Sequence, residues 1–301
     1  MMRRLSFIVP AEMEGRKLKS FLRGPCGLSA RLMIRLKYVP MGIARNGEHA
    51  RVIDLIHAGD RIDLSIPEDS AFLDPVSVPL DVVFEDDDLL VVNKPAGMPV
   101  HPSPGHDTDT LANAAAAYFQ QEGLSCAFRA VCRLDKDTTG LMVLAKNPYA
   151  AARLSGAVRK GYTAVCEGLL QGSGVIDAPI RNKEGYGIRR EVGEGGDPAV
   201  THWRAVAWSG GHTVLRLWLE TGRTHQIRVH MESIGHPLAG DDMYGGSLSC
   251  IGRQALHCGY ASFVHPVTGQ RLQLSAPVPE DMCALFPKDF QDDEPFNWGG
   301  F

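Results

Sequence analysis

Arg133-Leu134-Asp135-Lys136-Asp137-Thr138-Thr139-Gly140-Leu141-Met142-Val143-Leu144-Ala145 falls into two unlike halves. Apart from Leu134 the first half is ionic or hydroxylated, and it ends in glycine. It cannot be buried as a plain strand, because charge without partners is expensive to bury. The second half is an apolar run with the length and composition of a buried strand. A polar loop leading at once into such a strand is a common way to hold reactive groups on a rigid frame. An Asp-rich turn that only caps backbone groups shows the same pattern, so this stretch alone leaves both readings open.

Outward from it, strands and helices alternate without a βαβ rhythm. Spacing predicts helices over 109–121, 148–158 and 223–234. It predicts strands over 89–92, 162–167, 200–208, 212–220 and 271–276. This mixture favours an α+β fold with a central mixed, mostly antiparallel sheet and flanking helices, spanning residues 81–285. Before it, residues 67–80 are polar and carry three prolines, as a linker does. After it, residues 286–301 read as a loose tail. Residues 14–66 form a separate small α/β unit. Gly15–Arg23 has helical spacing, Ser29 can cap a second helix from Ala30 to Tyr38, and Asn46-Gly47 is a hairpin signal.

The net charge of −4 does not suggest a nucleic-acid partner, but it is unevenly distributed. Residues 1–50 hold ten Lys or Arg against three acids, a net of +7, and the remainder carries −11. A basic module on an acidic body points to a phosphate-rich partner for that module; a merely solvated basic face is the plainer reading. No apolar run reaches membrane-spanning length, and the first residues lack a secretory core, so a cytoplasmic protein is expected. The seven cysteines (26, 126, 132, 166, 250, 258 and 283) are scattered, with no Cys-x-x-Cys pair. That suits reduced thiols rather than disulfides or zinc. His225 and His230 are five apart and do not share a helix face, so no metal site is expected. No glycine-rich phosphate loop is visible, so no nucleotide cofactor is expected either.

Three other segments are as well defined as the first. Asn93-Lys94-Pro95-Ala96-Gly97 is rigid and suited to a cleft wall or an ordinary loop. Lys160-Gly161-Tyr162 sets an aromatic ring beside a cation, as a core residue or as a stacking platform for a base. Gly222-Arg223-Thr224-His225-Gln226-Ile227-Arg228-Val229-His230 follows an amphipathic strand. Arg223 and Arg228 can each fork onto a carboxylate or phosphate there.

In this order the four segments resemble the RluA-type pseudouridine synthases, with His236-Pro237-Leu238-Ala239-Gly240-Asp241, Leu256-His257 and Leu274-Ser275-Ala276-Pro277 also similar. The resemblance covers residues 80–285. The N-terminal unit is similar to a small RNA-binding module shared with a ribosomal small-subunit protein. The resemblance implies the pseudouridine synthase fold and an enzyme that isomerises uridines in structured RNA. Ribosomal RNA is favoured and transfer RNA is open; no cofactor is implied, and a monomer is expected. Carried over residue by residue, Asp135 attacks the target uridine, Arg223 pairs with Asp135, and Tyr162 packs on the base and assists proton removal. Arg133 fills the gap left by the flipped base, and Leu274 is the apolar floor. Arg228 and Lys94 complete the residues expected to bind substrate. Cys132 stands where the family usually has His, which bears on how Arg133 is oriented.

The chemistry fits these residue types. Breaking and remaking a glycosidic bond needs a carboxylate, a cation beside it, an aromatic wall, and flipping to expose the base. Two other readings compete. A non-catalytic RNA-binding protein would use only the basic module. Asp135-Lys136-Asp137-Thr138 also resembles the nucleophile motif of magnesium-dependent haloacid-dehalogenase-type phosphatases. Those place an apolar strand before the first Asp, whereas here the strand follows.

Overall fold

The computed structural model describes residues 2–67 and 73–288, and these form a small sheet, a large sheet and a separate two-stranded hairpin. Most of the predicted tail and part of the predicted linker therefore lie outside the described residues. The small sheet comprises β1 (Arg3–Ile8), β2 (Ile43–Arg45), β3 (Glu48–His49) and β4 (Arg61–Ile66), antiparallel in the order β1-β4-β2-β3. Helices α1 (Leu18–Arg23) and α2 (Ala30–Leu36) close its core with Phe21, Leu22, Leu32, Met33 and Leu36. Ser29 caps α2 by accepting from the Leu32 amide at 3.1 Å. Asn46 and Gly47 both have positive φ, 52° and 88°, as a two-residue hairpin loop requires. The sheet begins at Arg3, upstream of the boundary expected at residue 14. β1 pairs with a strand far along the chain, which no local signal announces. Ile34 is exposed, and Met33 takes the core position.

The large sheet contains β5 (Asp81–Glu85), β6 (Leu89–Lys94), β7 (Thr139–Ala145), β8 (Arg159–Glu167) and β9 (Ser173–Asp177). A separate hairpin of β10 (Ile180–Asn182) and β11 (Arg190–Val192) follows. The large sheet continues with β12 (Val200–Ser209), β13 (His212–Leu219), β14 (Leu256–Val264) and β15 (Arg271–Ser275). Its order is β5-β6-β7-β14-β8-β13-β12-β9, with β15 added to β14. Every pairing is antiparallel except the short β7–β14 contact, so the sheet is mixed and mostly antiparallel. The helices are α3 (Leu111–Gln121), α4 (Pro148–Leu154), α5 (Gln226–Ser233) and α6 (Glu280–Cys283).

All residues of β7 are buried, which explains its unbroken apolar run. Met142 and Leu144 pack with α3 and α5 on one face, and Leu141 and Val143 pack with α4 on the other. The parallel contact pairs Thr139 with His257 and Gly140 with Cys258. A Cβ at Gly140 would lie 2.3 Å from the Cys258 carbonyl oxygen, and its φ is +114°. Only glycine lets the chain leave the Asp135 loop and drop straight into the centre of the sheet.

The two sheets meet at a polar and aromatic joint. Arg3 forks onto the buried Asp88 at 2.9 and 2.7 Å, and Asn147 donates to the same carboxylate at 2.7 Å. The Tyr149 hydroxyl donates to the Cys26 carbonyl at 3.0 Å, and its ring packs edge-on against Phe7. Tyr149, from α4, thus belongs to the core of the small sheet.

Candidate active site

A cleft of about 770 Å³ opens on the α5 face, lined by Cys132–Lys136, Tyr162, Thr221–Arg228 and Leu256 among others. The loop carrying Asp135 is tied down along its backbone. Lys160 donates to the Arg133 carbonyl at 3.3 Å, Lys94 to that of Lys136 at 2.8 Å, and Arg253 to that of Asp137 at 3.2 Å. The Thr138 amide closes a turn onto the Asp135 carbonyl at 3.1 Å. Gln254 reaches the Thr138 hydroxyl at 3.3 Å, and His257 holds that of Thr139 at 2.8 Å. With the backbone fixed, Asp135 is left only partly exposed in the cleft, its side chain 25% accessible.

The cation facing Asp135 is Arg228, whose Nη1 lies 3.4 Å from Oδ2. Arg228 also forks onto Asp241 at 2.6 and 2.8 Å and lies over the Tyr244 ring at 4.9 Å. Asp241 is fully buried, its side chain 0% accessible. One guanidinium therefore serves two carboxylates: the buried one fixes its plane, and the partly exposed one faces the cleft. The two carboxylates raise the Arg228 pKa despite its burial. His225 closes the group through a 2.8 Å contact between Nδ1 and the Tyr244 hydroxyl. Burial lowers the pKa of His225, which favours the neutral ring. His225 has φ +57° and stands as the N-cap of α5. That bend is why the helix starts at Gln226 rather than at 223.

Several expected positions need correction. Arg223 does not pair with Asp135; it is exposed, and its Nε donates to the Pro198 carbonyl at 3.0 Å. The two arginines diverge because Arg223 precedes the left-handed turn at His225, whereas Arg228 lies inside α5. Leu274 is not the floor of the cleft. It sits on β15 and packs with Leu141 and Val143 on the opposite face. Leu256 lines the cleft instead, and it shares a core with Tyr162. Lys94 is not free to bind substrate. It is 1% exposed, and its three donors go to the carbonyls of Pro95, Met98 and Lys136 at 2.8–2.9 Å. Arg133 is exposed at the mouth, with Nη2 3.4 Å from the Thr224 hydroxyl across the cleft. Tyr162 is buried in the cleft wall with Lys160 Nζ 5.5 Å from its ring centre. Burial pushes its phenol well above the ordinary value, so the ring stays neutral.

Among the described residues one trio, Asp86, Asp88 and His265, has metal-ligand spacing. It lies at the joint, outside the cleft, and the Arg3 guanidinium already occupies Asp88. A second cation there would be repelled by the guanidinium already on Asp88. His230, whose ring nitrogens contact Thr201 and the Ala178 carbonyl, is a core residue.

Burial lowers the Lys94 ammonium from 10.5 to about 8, although Asp137 and Asp135 favour its charge. The unfolded chain therefore holds this proton up to about pH 10, whereas the native protein releases it near 8. Between those values the unfolded state binds more protons, so this group adds stability as pH rises. Wild type should gain on K94M across that window, by at most about 3 kcal/mol. Urea unfolding at pH 7.5, 9 and 10.5 checks this. A wild-type minus K94M difference that stays flat would contradict it. At every pH K94M should be the less stable protein, because the carbonyls lose the three donors of the ammonium below about pH 8 and the two of the amine above it.

A family model described as RNA pseudouridylate synthase matches residues 88–233. A Bacillus subtilis protein described as uncharacterized RNA pseudouridine synthase YjbO is 40% identical over 270 residues, covering 87% of this chain and 95% of that protein. The chain belongs to the RluA-type family of RNA pseudouridine synthases. Ribosomal large subunit pseudouridine synthase D of Yersinia pestis is 41% identical over 78% of each chain. The solved structure of human RNA pseudouridylate synthase domain containing 1 superposes with TM-score 0.55 at 28% identity, covering 68% of this chain and 86% of that one. The fold is accordingly that of a pseudouridine synthase, and the protein is an RNA-modifying isomerase. No helix among the described residues is long and apolar enough to cross a membrane.

Asp241, Tyr244 and Arg253 have no role legible in the sequence, yet with Lys160 they hold Arg228 and the Asp135 loop in place. Asp241 carried one signal: it closes the His-Pro-Leu-Ala-Gly-Asp segment as an acid among residues of a buried loop. Arg253 carried none.

Proposed function

We propose that Asp135 is the catalytic aspartate and that the substrate is a uridine of large-subunit ribosomal RNA. The observation that carries this is the pairing of Asp135 with Arg228 at 3.4 Å in a cleft whose wall also holds the buried ring of Tyr162 and which has room for a flipped nucleotide. The reaction cleaves the bond between ribose C1′ and N1, turns the ring, joins C5 to C1′, and transfers the hydrogen of C5 to solvent while N1 takes one up. Asp135 supplies the nucleophile or base. Arg228 holds it in place and stabilises its charge. Tyr162, kept neutral by burial, packs on the loose ring. Arg133, at the mouth, takes the place of the flipped base in the RNA stack. The ribosomal target follows from the similarity to enzymes named for the large ribosomal subunit. The basic residues of the 14–66 module support it, since they would grip phosphates. The setting is then the cytoplasm.

Mapping pseudouridines in RNA from cells with and without the protein tests the substrate. One or more large-subunit positions should lose pseudouridine and regain it with the wild-type gene but not with D135N. Loss confined to transfer RNA would redirect the assignment.

A further inference from the structure

The β10–β11 hairpin lies outside the large sheet yet is fastened to the site. The Lys183 amide donates to the Arg189 carbonyl at 3.0 Å, closing the tip, and Gly185 and Gly187 take positive φ within it. At its base, Ile180 and Val192 pack with Val229 of α5 and with Tyr244. The Arg190 amide donates to the Tyr244 hydroxyl at 2.9 Å, the same hydroxyl that contacts His225. Arg189 lies over the Tyr244 ring and bridges Glu232 of α5 at 2.9 Å. Ile188 and Arg190 line the cleft.

Beyond these anchors the tip presents an unusual surface. Tyr186 is 60% exposed and Ile188 65%, on a segment that also carries Lys183 and Arg190. Lys183 Nζ lies 4.9 Å from the centre of the Tyr186 ring. An exposed cation–π contact of this kind returns little to the fold. A single-stranded nucleic acid uses that pair of groups, the ring for a base and the cations for phosphates.

We propose that Lys183–Arg190 is a flanking-nucleotide subsite. In it Tyr186 stacks on an unpaired base next to the target uridine, and Lys183 and Arg190 hold the adjoining phosphates. This rests on the cleft being the uridine site. The occupant is RNA because the tip is continuous with that cleft and matched to phosphate in charge, with Glu184 its one acid. Because the base of the hairpin packs on α5, a base held at the tip is fixed relative to Arg228 and hence to Asp135.

The test uses the full-length protein and unmodified large-subunit ribosomal RNA transcribed in vitro, scored by pseudouridine formation. Y186A should raise KM about five- to hundredfold, the range for one stacked base, with kcat within about threefold of wild type by the same reasoning. Y186F, which keeps the ring, should behave as wild type. K183A/R190A should weaken the salt dependence of KM by about one unit of slope per lost phosphate contact. An unchanged KM in Y186A, or a kcat loss shared by Y186F, overturns the subsite. Neither result touches the assignment of Asp135, which stands or falls on D135N. Tyr186 is exposed, so its thermal transition should not move, and a folding defect in Y186A would also count against the proposal.

Discussion

D135N should lose pseudouridine formation by at least about a thousandfold in kcat, as removal of a nucleophile or base does elsewhere, while binding RNA with near wild-type affinity. The substitution keeps the shape of the side chain and removes only its charge and nucleophilicity. The loop backbone is held by Lys160, Lys94 and Arg253 through carbonyls, none of which involves the Asp135 carboxylate. The geometry of the cleft should therefore survive. Residues expected to grip RNA, the basic N-terminal module and the cleft mouth, are untouched. Release of tritium from uridine labelled at C5, run beside a filter-binding assay, separates the two readouts. A D135N protein that modifies RNA at the wild-type rate would falsify the assignment. One that neither binds nor reacts would favour a structural role for the loop.

The second large effect separates the two arginines of the Gly222–His230 segment. R228A should be destabilised by about 3–5 kcal/mol, because Asp241 would be left fully buried without its cation. It should also be inactive, since nothing else among the described residues places a guanidinium against Asp135. R223A removes an exposed side chain whose Nε reaches only the Pro198 carbonyl. Its stability should stay within about 0.5 kcal/mol of wild type, and turnover should persist. A buried Asp241 without its cation puts the fold of R228A at risk, so R228K decides the matter. It keeps the charge and loses the fork, and it should fold while turning over at least about tenfold more slowly. Urea unfolding and initial rates check both. If R223A abolishes turnover while R228K does not, the role belongs to Arg223, as the family pattern alone implied.

Why the sequence misled at that point is instructive. The segment contains two arginines of equal chemical fitness, and the choice between them depends on a backbone turn at His225 that a β-region or helical residue would not make. A positive φ at a histidine has no sequence signature comparable to Asn-Gly at 46–47, which announced its turn plainly. Leu274 failed for a related reason. Strands alternate between faces, and which face meets the cleft depends on a register set by β14, whose pairing with β8 slips between His257 and Tyr260. The expectation that Lys94 binds substrate rests only on its motif, and its three carbonyl partners come from two separate segments, one with Pro95 and Met98 and the other with Lys136, which no local pattern joins. The parts that were legible were those with local causes: the apolar run of β7, the amphipathic strands around 200–219, the caps, and the polar loop with Asp135. The parts that were not legible depended on contacts between distant segments.

The joint through Asp88 and Tyr149 has a further consequence for the molecule as a machine. The small sheet is a short module with a modest core of its own, and α4 lends it Tyr149. Its stability is therefore partly borrowed, and it should melt together with the catalytic body rather than before it. The same joint makes any RNA grip on the module an intramolecular restraint on the cleft. A duplex caught by the module is presented to Asp135 at an effective concentration fixed by the joint rather than by diffusion. The uridine that reacts is then the one lying at a set distance from the captured phosphates, and the joint itself becomes a measuring rod.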